Sequence, residues 1–223
     1  IIGTQKGGTG FLQHQLGLHS GIHMHPHERH YFDQQNYVEH PLSEYMWDVP
    51  HDKILMEKSP SYMTHPEVAS RIHAALPNVK LIAVLRNPVE RAWSHYKMVV
   101  RKEKTTDTFE NEITRSLNPP YTLPHPSGRM EEGPWNNYVQ RGLYYEQLER
   151  YYRYFPSEQI LILFSEQMRA FPENTLNKVT TFLNISSWTS QNNPIAQHFK
   201  DHGGAEESWK EEIPTKIADK LEK

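Results

Sequence analysis

Four short apolar runs, separated by stretches with helical periodicity, set the rhythm of this chain. The first is the β-branched pair Ile1 and Ile2. It enters a glycine-rich turn, and apolar residues at Phe11, Leu12, Leu16 and Leu18 follow near helical spacing, so strand, turn and helix are predicted in that order. Lys53 to Glu57 reads as a second strand, with polar residues gathered at its carboxyl end. Lys80 to Leu85 is apolar almost throughout, the mark of a strand buried on both faces at the centre of a sheet, and Gln159 to Phe164 is another of that kind.

Between these runs, Pro66 to Leu76 places Val68, Ile72 and Leu76 on one helical face. After Leu85, Asn87 can cap, Pro88 suits a first helical position and Glu90 completes a capping box. The helix they start buries Val89, Trp93, Tyr96 and Val100 by its spacing. Tyr37 to Met46, Tyr138 to Tyr154, Thr175 to Leu183 and Ile213 to Leu221 predict further helices, Ser20 to Pro26 a loop, and His27 to Asp33 a short strand or turn. Arg101 to Pro134 is charged and then rich in proline, a long excursion of which 105–134 is expected to be a loop or lid. Helices alternating with apolar runs argue an α/β protein with a parallel sheet flanked by helices, and the length suits a single domain over 1–223.

Composition narrows the function. The net charge of −3 provides no basic field for nucleic acid, so an anion site must be a local patch. With no cysteine, disulfides, thiol chemistry and cysteine metal sites are excluded. Histidines crowd His19 to His30, but no HExxH is present and no metal is expected. No apolar run is long enough to span a membrane. The chain opens inside a first strand without a methionine, so an upstream anchor or targeting segment is expected to be missing. Asn184-Ile185-Ser186 matches a glycosylation acceptor.

The turn IIGTQKGGTG directs backbone N–H groups and a helix N-terminus at one point, which suits a phosphate or sulfate anion, with Lys6 as a mobile charge. It is not the P-loop of NTPases, whose lysine directly precedes the Ser/Thr; here Gly7 and Gly8 separate Lys6 from Thr9. Because ligands bind at the carboxyl ends of parallel strands, Lys58 and Ser59 can fall beside this turn, and Arg86 and Ser94 can approach one anionic group.

Four segments in order, IIGTQKGGTG, HERHYFD, MEKSPSYMTHP and LRNPVERAWSHY, resemble sulfotransferases dependent on 3′-phosphoadenosine 5′-phosphosulfate (PAPS). They are most similar to the heparan sulfate glucosaminyl 3-O- and N-sulfotransferases, from Ile1 to about Leu183. The resemblance implies a fold like that of the P-loop kinases. It implies that Lys6, Gly7, Gly8, Thr9 and Gly10 surround the 5′-phosphosulfate, that Arg86 and Ser94 hold the 3′-phosphate, and that Arg141 and Tyr144 lie at the cofactor end of the cleft. Glu28 matches the family's catalytic carboxylate, with His30 and Asp33 in the same spacing, and Lys58 a lysine near the reacting groups. It further implies a glycan acceptor, adenosine 3′,5′-bisphosphate as product, and a glycoprotein of the Golgi lumen, or a soluble or cytoplasmic protein if the chain is not of the animal type. Gly10 stands where the family usually has a larger residue. The late lysine-glycine-arginine loop that closes over the cofactor is not recognisable, and Gly203 to Lys210 is expected in its place.

The chemistry is consistent with those residue types. Transfer of a sulfuryl group to an alcohol needs a base, for which Glu28 is the candidate and His30 the next, and fixed cations at the leaving oxygen, for which Lys6 and Lys58 serve. Because the donor is already activated, no metal is required. Arg29, Asp33, Lys58, Arg101 and Lys102 are the candidates for holding an anionic polysaccharide. Two alternatives stay open: a small-molecule or lipid acceptor, and a non-catalytic module that binds sulfated glycan or nucleotide.

Overall fold

The computed structural model describes residues 1–34, 37, 52–117 and 137–188. Four strands are assigned there: β1 (Ile22–Met24), β2 (Ile54–Met56), β3 (Leu81–Leu85) and β4 (Ile160–Phe164). β1 pairs with β2, and β3 with β4, both in parallel. The opening segment links the pairs. Ile2 and Thr4 donate backbone hydrogen bonds to Ile82 and Val84 at 2.9 and 2.7 Å, and on the other side Ser59 and Met63 donate to Ile1 and Ile2 at 3.1 and 2.8 Å. This opening run, predicted as a strand, makes one parallel bridge, from Gly3 to Ala83.

The centre is β3, buried at every position. Leu81, Ala83 and Leu85 pack into a cluster with Phe32, Tyr62 and Tyr151, whereas Ile82 and Val84 face the opposite cluster of Leu12, Leu16, Leu163 and Val179. Period-two alternation between two apolar layers is why this run has no polar face.

Helices cover both faces. Among the described residues they are α1 (Thr9–Gly17), α2 (Val68–Ala75), α3 (Pro88–Arg101), α4 (Phe109–Leu117), α5 (Tyr144–Tyr152), α6 (Ser165–Ala170) and α7 (Pro172–Leu183). Several differ from the pattern reading. Ile22–Met24 is a strand where a loop is expected, because Gly21 accepts from Ile54 and starts a ladder with β2 that no local signal announces. The expected excursion contains α4, whose Phe109 and Ile113 pack with Ala92, Val99 and Tyr138. In α3 the buried face runs through Arg91, His95 and Val99 rather than Val100, which is 40 % exposed. The expected helix from Tyr138 is a turn and a 3₁₀ segment (Gln140–Gly142) before α5, broken at Leu143, whose ψ of 68° is not helical. Asn184 ends α7 in the left-handed region, with φ 60°, and is exposed. The helices expected at Tyr37 to Met46 and Ile213 to Leu221, the rest of the lid, and Gly203 to Lys210 lie largely or wholly outside the described residues.

Candidate active site

All the parallel segments present their carboxyl ends to the same side, as open α/β sheets do at ligand sites. The loops leaving them line one cleft of about 830 Å³. The first is the glycine turn. Gly7 N–H donates to Thr4 O at 2.9 Å, and the chain reverses through Lys6 at φ 69° and Gly8 at φ 95°. A Cβ at Gly7 would stand 2.6 Å from Val84 O, and Gly8 holds a φ of 95° that strains any residue with a side chain, so glycine is required at both. At Gly10 a Cβ would meet nothing within 4 Å. No side chain caps the start of α1, which leaves its first N–H groups for an anion in the cleft. Burial, and then the charges of Arg101, Arg86 and Lys102, hold the Lys6 ammonium below its ordinary pKa.

From the end of β3, Arg86 enters the cleft with 11 % of its side chain exposed. Its Nε and Nη2 donate to Glu90 Oε2 at 3.2 and 3.1 Å. Asn87 caps α3 as expected, its Oδ1 accepting from Val89 and Glu90 N–H at 3.0 and 3.2 Å. The capping box is otherwise unmade, because the Glu90 carboxylate is turned to the stronger, charged donor Arg86. Asn87 N–H donates instead to Glu166 Oε1 at 2.8 Å.

The loop after β1 brings Glu28 to the opposite wall, 37 % exposed and paired with two cations. Lys58 Nζ, from the end of β2, is 2.6 Å from Oε1, and His30 Nε2 is 3.2 Å from Oε2. Burial raises the Glu28 pKa, but the His30 and Lys58 hydrogen bonds outweigh it and leave the carboxyl below its ordinary value. His30 Nδ1 lies 2.9 Å from Asp33 Oδ2, which also accepts from Ser61 Oγ at 2.5 Å. The hydrogen bonds to Asp33 and then to Glu28 raise the imidazole pKa to about 10, so His30 is a cation at neutral pH. Among the described residues, no three metal-ligating side chains group as a metal site.

Of the candidate residues, Lys6, Gly8, Thr9, Gly10, Glu28, Arg29, His30, Lys58, Arg86, Ser94, Lys102 and Arg141 line this cleft. Four predicted residues do not line it. Gly7 is buried in the turn, and Tyr144 stands behind Arg86, its hydroxyl donating to the Arg86 carbonyl at 2.8 Å. Asp33 is fully buried beneath His30, so it positions that ring rather than facing an acceptor. Arg101 is exposed beside the cleft, near enough to act on Lys6. Ser61 and Arg169 line the cleft without having been predicted. Ser61 is two residues beyond the predicted Ser59; Arg169 carries no motif and lies near the end of a short helix that no periodicity announces.

The sulfotransferase domain model matches residues 1–202. Human heparan sulfate glucosamine 3-O-sulfotransferase 6 is 34 % identical over 188 residues, which is 83 % of this chain and 51 % of that protein. The mouse 3-O-sulfotransferase 5 is 31 % identical over 197 residues, covering 86 % and 55 %. This chain thus spans about half the length of the curated relatives it matches. Among solved structures, a sulfotransferase from Alicyclobacillus acidocaldarius superimposes with a TM-score of 0.69 at 28 % identity, covering 85 % of this chain and 81 % of that one. The sulfotransferase domain of the curacin biosynthetic pathway, at 14 % identity and a TM-score of 0.56, shares the fold. By the match of the domain model and of these relatives, the chain belongs to the sulfotransferase domain family.

Proposed function

We propose that this protein transfers the sulfuryl group of PAPS to a hydroxyl or amino group of a heparan-sulfate-like glycan. The observation that carries this reading is the charge of the cleft. Seven of its lining side chains are lysine or arginine and one, Glu28, is a carboxylate, in a chain whose net charge is −3. That concentration matches a donor bearing phosphates at both ends of a nucleoside, and a polyanionic acceptor. The glycine turn supports the fit, because the tight reversal through Gly7 and Gly8 brings the uncapped N-terminus of α1 to the cleft. The relatives' names supply the acceptor class.

PAPS supplies an activated sulfuryl group, whose sulfur–oxygen bond to the 5′-phosphate breaks as the bond to the acceptor forms. Lys6 and the N-terminus of α1 hold the 5′ end and offset charge on the leaving oxygen, Arg86 and Ser94 hold the 3′-phosphate, and Arg141 lies at the cofactor end of the cleft. Glu28 takes the acceptor's proton. Its lowered pKa keeps it ionised at neutral pH, ready to accept. His30, already protonated, cannot be the base and acts by fixing the Glu28 oxygens. When Glu28 is protonated its attraction for Lys58 falls, and the Lys58 ammonium is released towards the transferring group. A Golgi lumen location belongs to the same reading.

The test is transfer of labelled sulfate from PAPS across desulfated heparan, chondroitin and small phenolic acceptors. Label on the heparan-type chains is expected. Label confined to phenols would replace the acceptor class, and none on any acceptor, despite nucleotide binding, would favour a binding module.

A further inference from the structure

Arg169 is a cleft-lining cation to which the reading above gives no task. It is the fifth residue of α6, a six-residue helix held against both anion-binding loops. Met168 packs against Gly8, and Glu166 Oε1 accepts the N–H of Asn87, next to Arg86. α6 therefore presents Arg169 to the cleft together with Arg86, at the carboxyl ends of the paired strands β4 and β3. Among the described residues no carboxylate pairs with Arg169, whereas Arg86 shares Glu90. After burial, Arg169 is the strongest influence depressing the Arg86 pKa, ahead of the opposing hydrogen bond from Glu90.

Two guanidinium groups that line one cleft repel each other, and their donors are not fully used. Nη1 of Arg86 makes only a long bond, 3.4 Å, to Lys6 O. A doubly charged anion between them removes the repulsion and uses the free donors in charge-assisted hydrogen bonds. We infer that Arg169 is a second arginine ligand for the donor's 3′-phosphate, gripping it from α6 opposite Arg86. The inference rests on the donor reading given above. It makes α6 part of the nucleotide site and gives that phosphate two guanidinium groups from adjacent strand ends.

The experiment is calorimetry of adenosine 3′,5′-bisphosphate and adenosine 5′-monophosphate with the wild-type protein, R169M and R169K, with melting temperatures of the free proteins. R169M should weaken the bisphosphate by roughly tenfold or more, the scale of a hydrogen bond to a charged group, and leave the monophosphate nearly unchanged. R169K should recover part of the loss. The free R169M protein should melt no lower than the wild type, since its change relieves repulsion with Arg86. Equal weakening of both nucleotides, or of neither, overturns the assignment while the donor reading stands. A wild-type protein that binds neither nucleotide overturns both. Loss of free-protein stability in R169M would make Arg169 structural and overturn the assignment as well.

Discussion

Glu28 sits between Lys58 and His30 at 2.6 and 3.2 Å, so its two oxygens are committed before any acceptor arrives. Replacing it by glutamine keeps size and polarity but removes the base. Turnover in E28Q should fall by roughly a hundredfold or more, the usual scale of general base catalysis, with nucleotide affinity nearly unchanged in calorimetry. Near-normal turnover would discard Glu28 as the base. His30 makes a separate prediction. Its pKa of about 10 means that, in an NMR titration, the His30 resonances should show no transition near pH 6.5, and His30 should put no limb there in the pH–rate profile. Because the folded pKa lies above the unfolded one, the stabilisation it brings is fully present below about pH 6.5 and is lost as pH rises through about 10. Glu28 acts in the opposite sense, its stabilisation being lost as acid protonates it below the ordinary carboxylate range. These residues were legible because each stands in a short motif. The burial of Asp33 was not, since Ser61 and Tyr62, which close over that loop, come from a segment about thirty residues away.

The helix α1 and its glycine turn give a prediction with two signs. At Gly8 the φ of 95° and the Met168 contact make alanine strained, so G8A should destabilise by about 1 kcal/mol or more and weaken nucleotide binding. At Gly10, inside the first turn of the same helix, space is open, and G10A should stabilise by up to about 1 kcal/mol through helix propensity. Thermal melts of the two variants moving in the same direction would contradict this account of the turn. Elements with a continuous apolar run or a cap, such as β3, β4 and the start of α3, could be read from sequence. β1 and α6 could not, because one is three residues long and the other six, and both are held by partners distant in the chain. α4 was hidden by the charged and proline-rich composition around it, although Phe109 and Ile113 carry its buried face at a four-residue spacing.

Over the whole molecule the charge is slightly negative while one cleft is strongly positive, so acceptor binding should be salt-sensitive. Screening over about 10 Å at 0.1 M ionic strength should raise the acceptor KM between low and moderate salt. Reversing Arg101 and Lys102 to glutamate should raise that KM by roughly tenfold, by removing attraction and adding repulsion at the rim. Because both charges act on Lys6, nucleotide binding should also change, but less. Acceptor kinetics that ignore both salt and the reversal would turn the reading to a small uncharged acceptor. The sequence shows the cations but not their convergence, which follows from parallel segments whose following loops open onto one cleft.

Arg91 has a consequence for handling the protein. Its side chain is wholly buried, bonded to the Tyr138 carbonyl, with Nε and Nη1 lacking a partner and a pKa lowered to about 10 by burial, despite the opposing influence of Tyr144. Exchanging such an internal charge for an apolar side chain of similar volume removes its desolvation cost. R91M should therefore melt higher than the wild type in plain chloride buffer. Multivalent anions, settling in the cleft nearby, should narrow that gap by protecting the wild type more than the variant. The choice of buffer salt thus becomes a stabiliser in its own right: this protein should keep longer in phosphate or sulfate than in chloride of equal ionic strength.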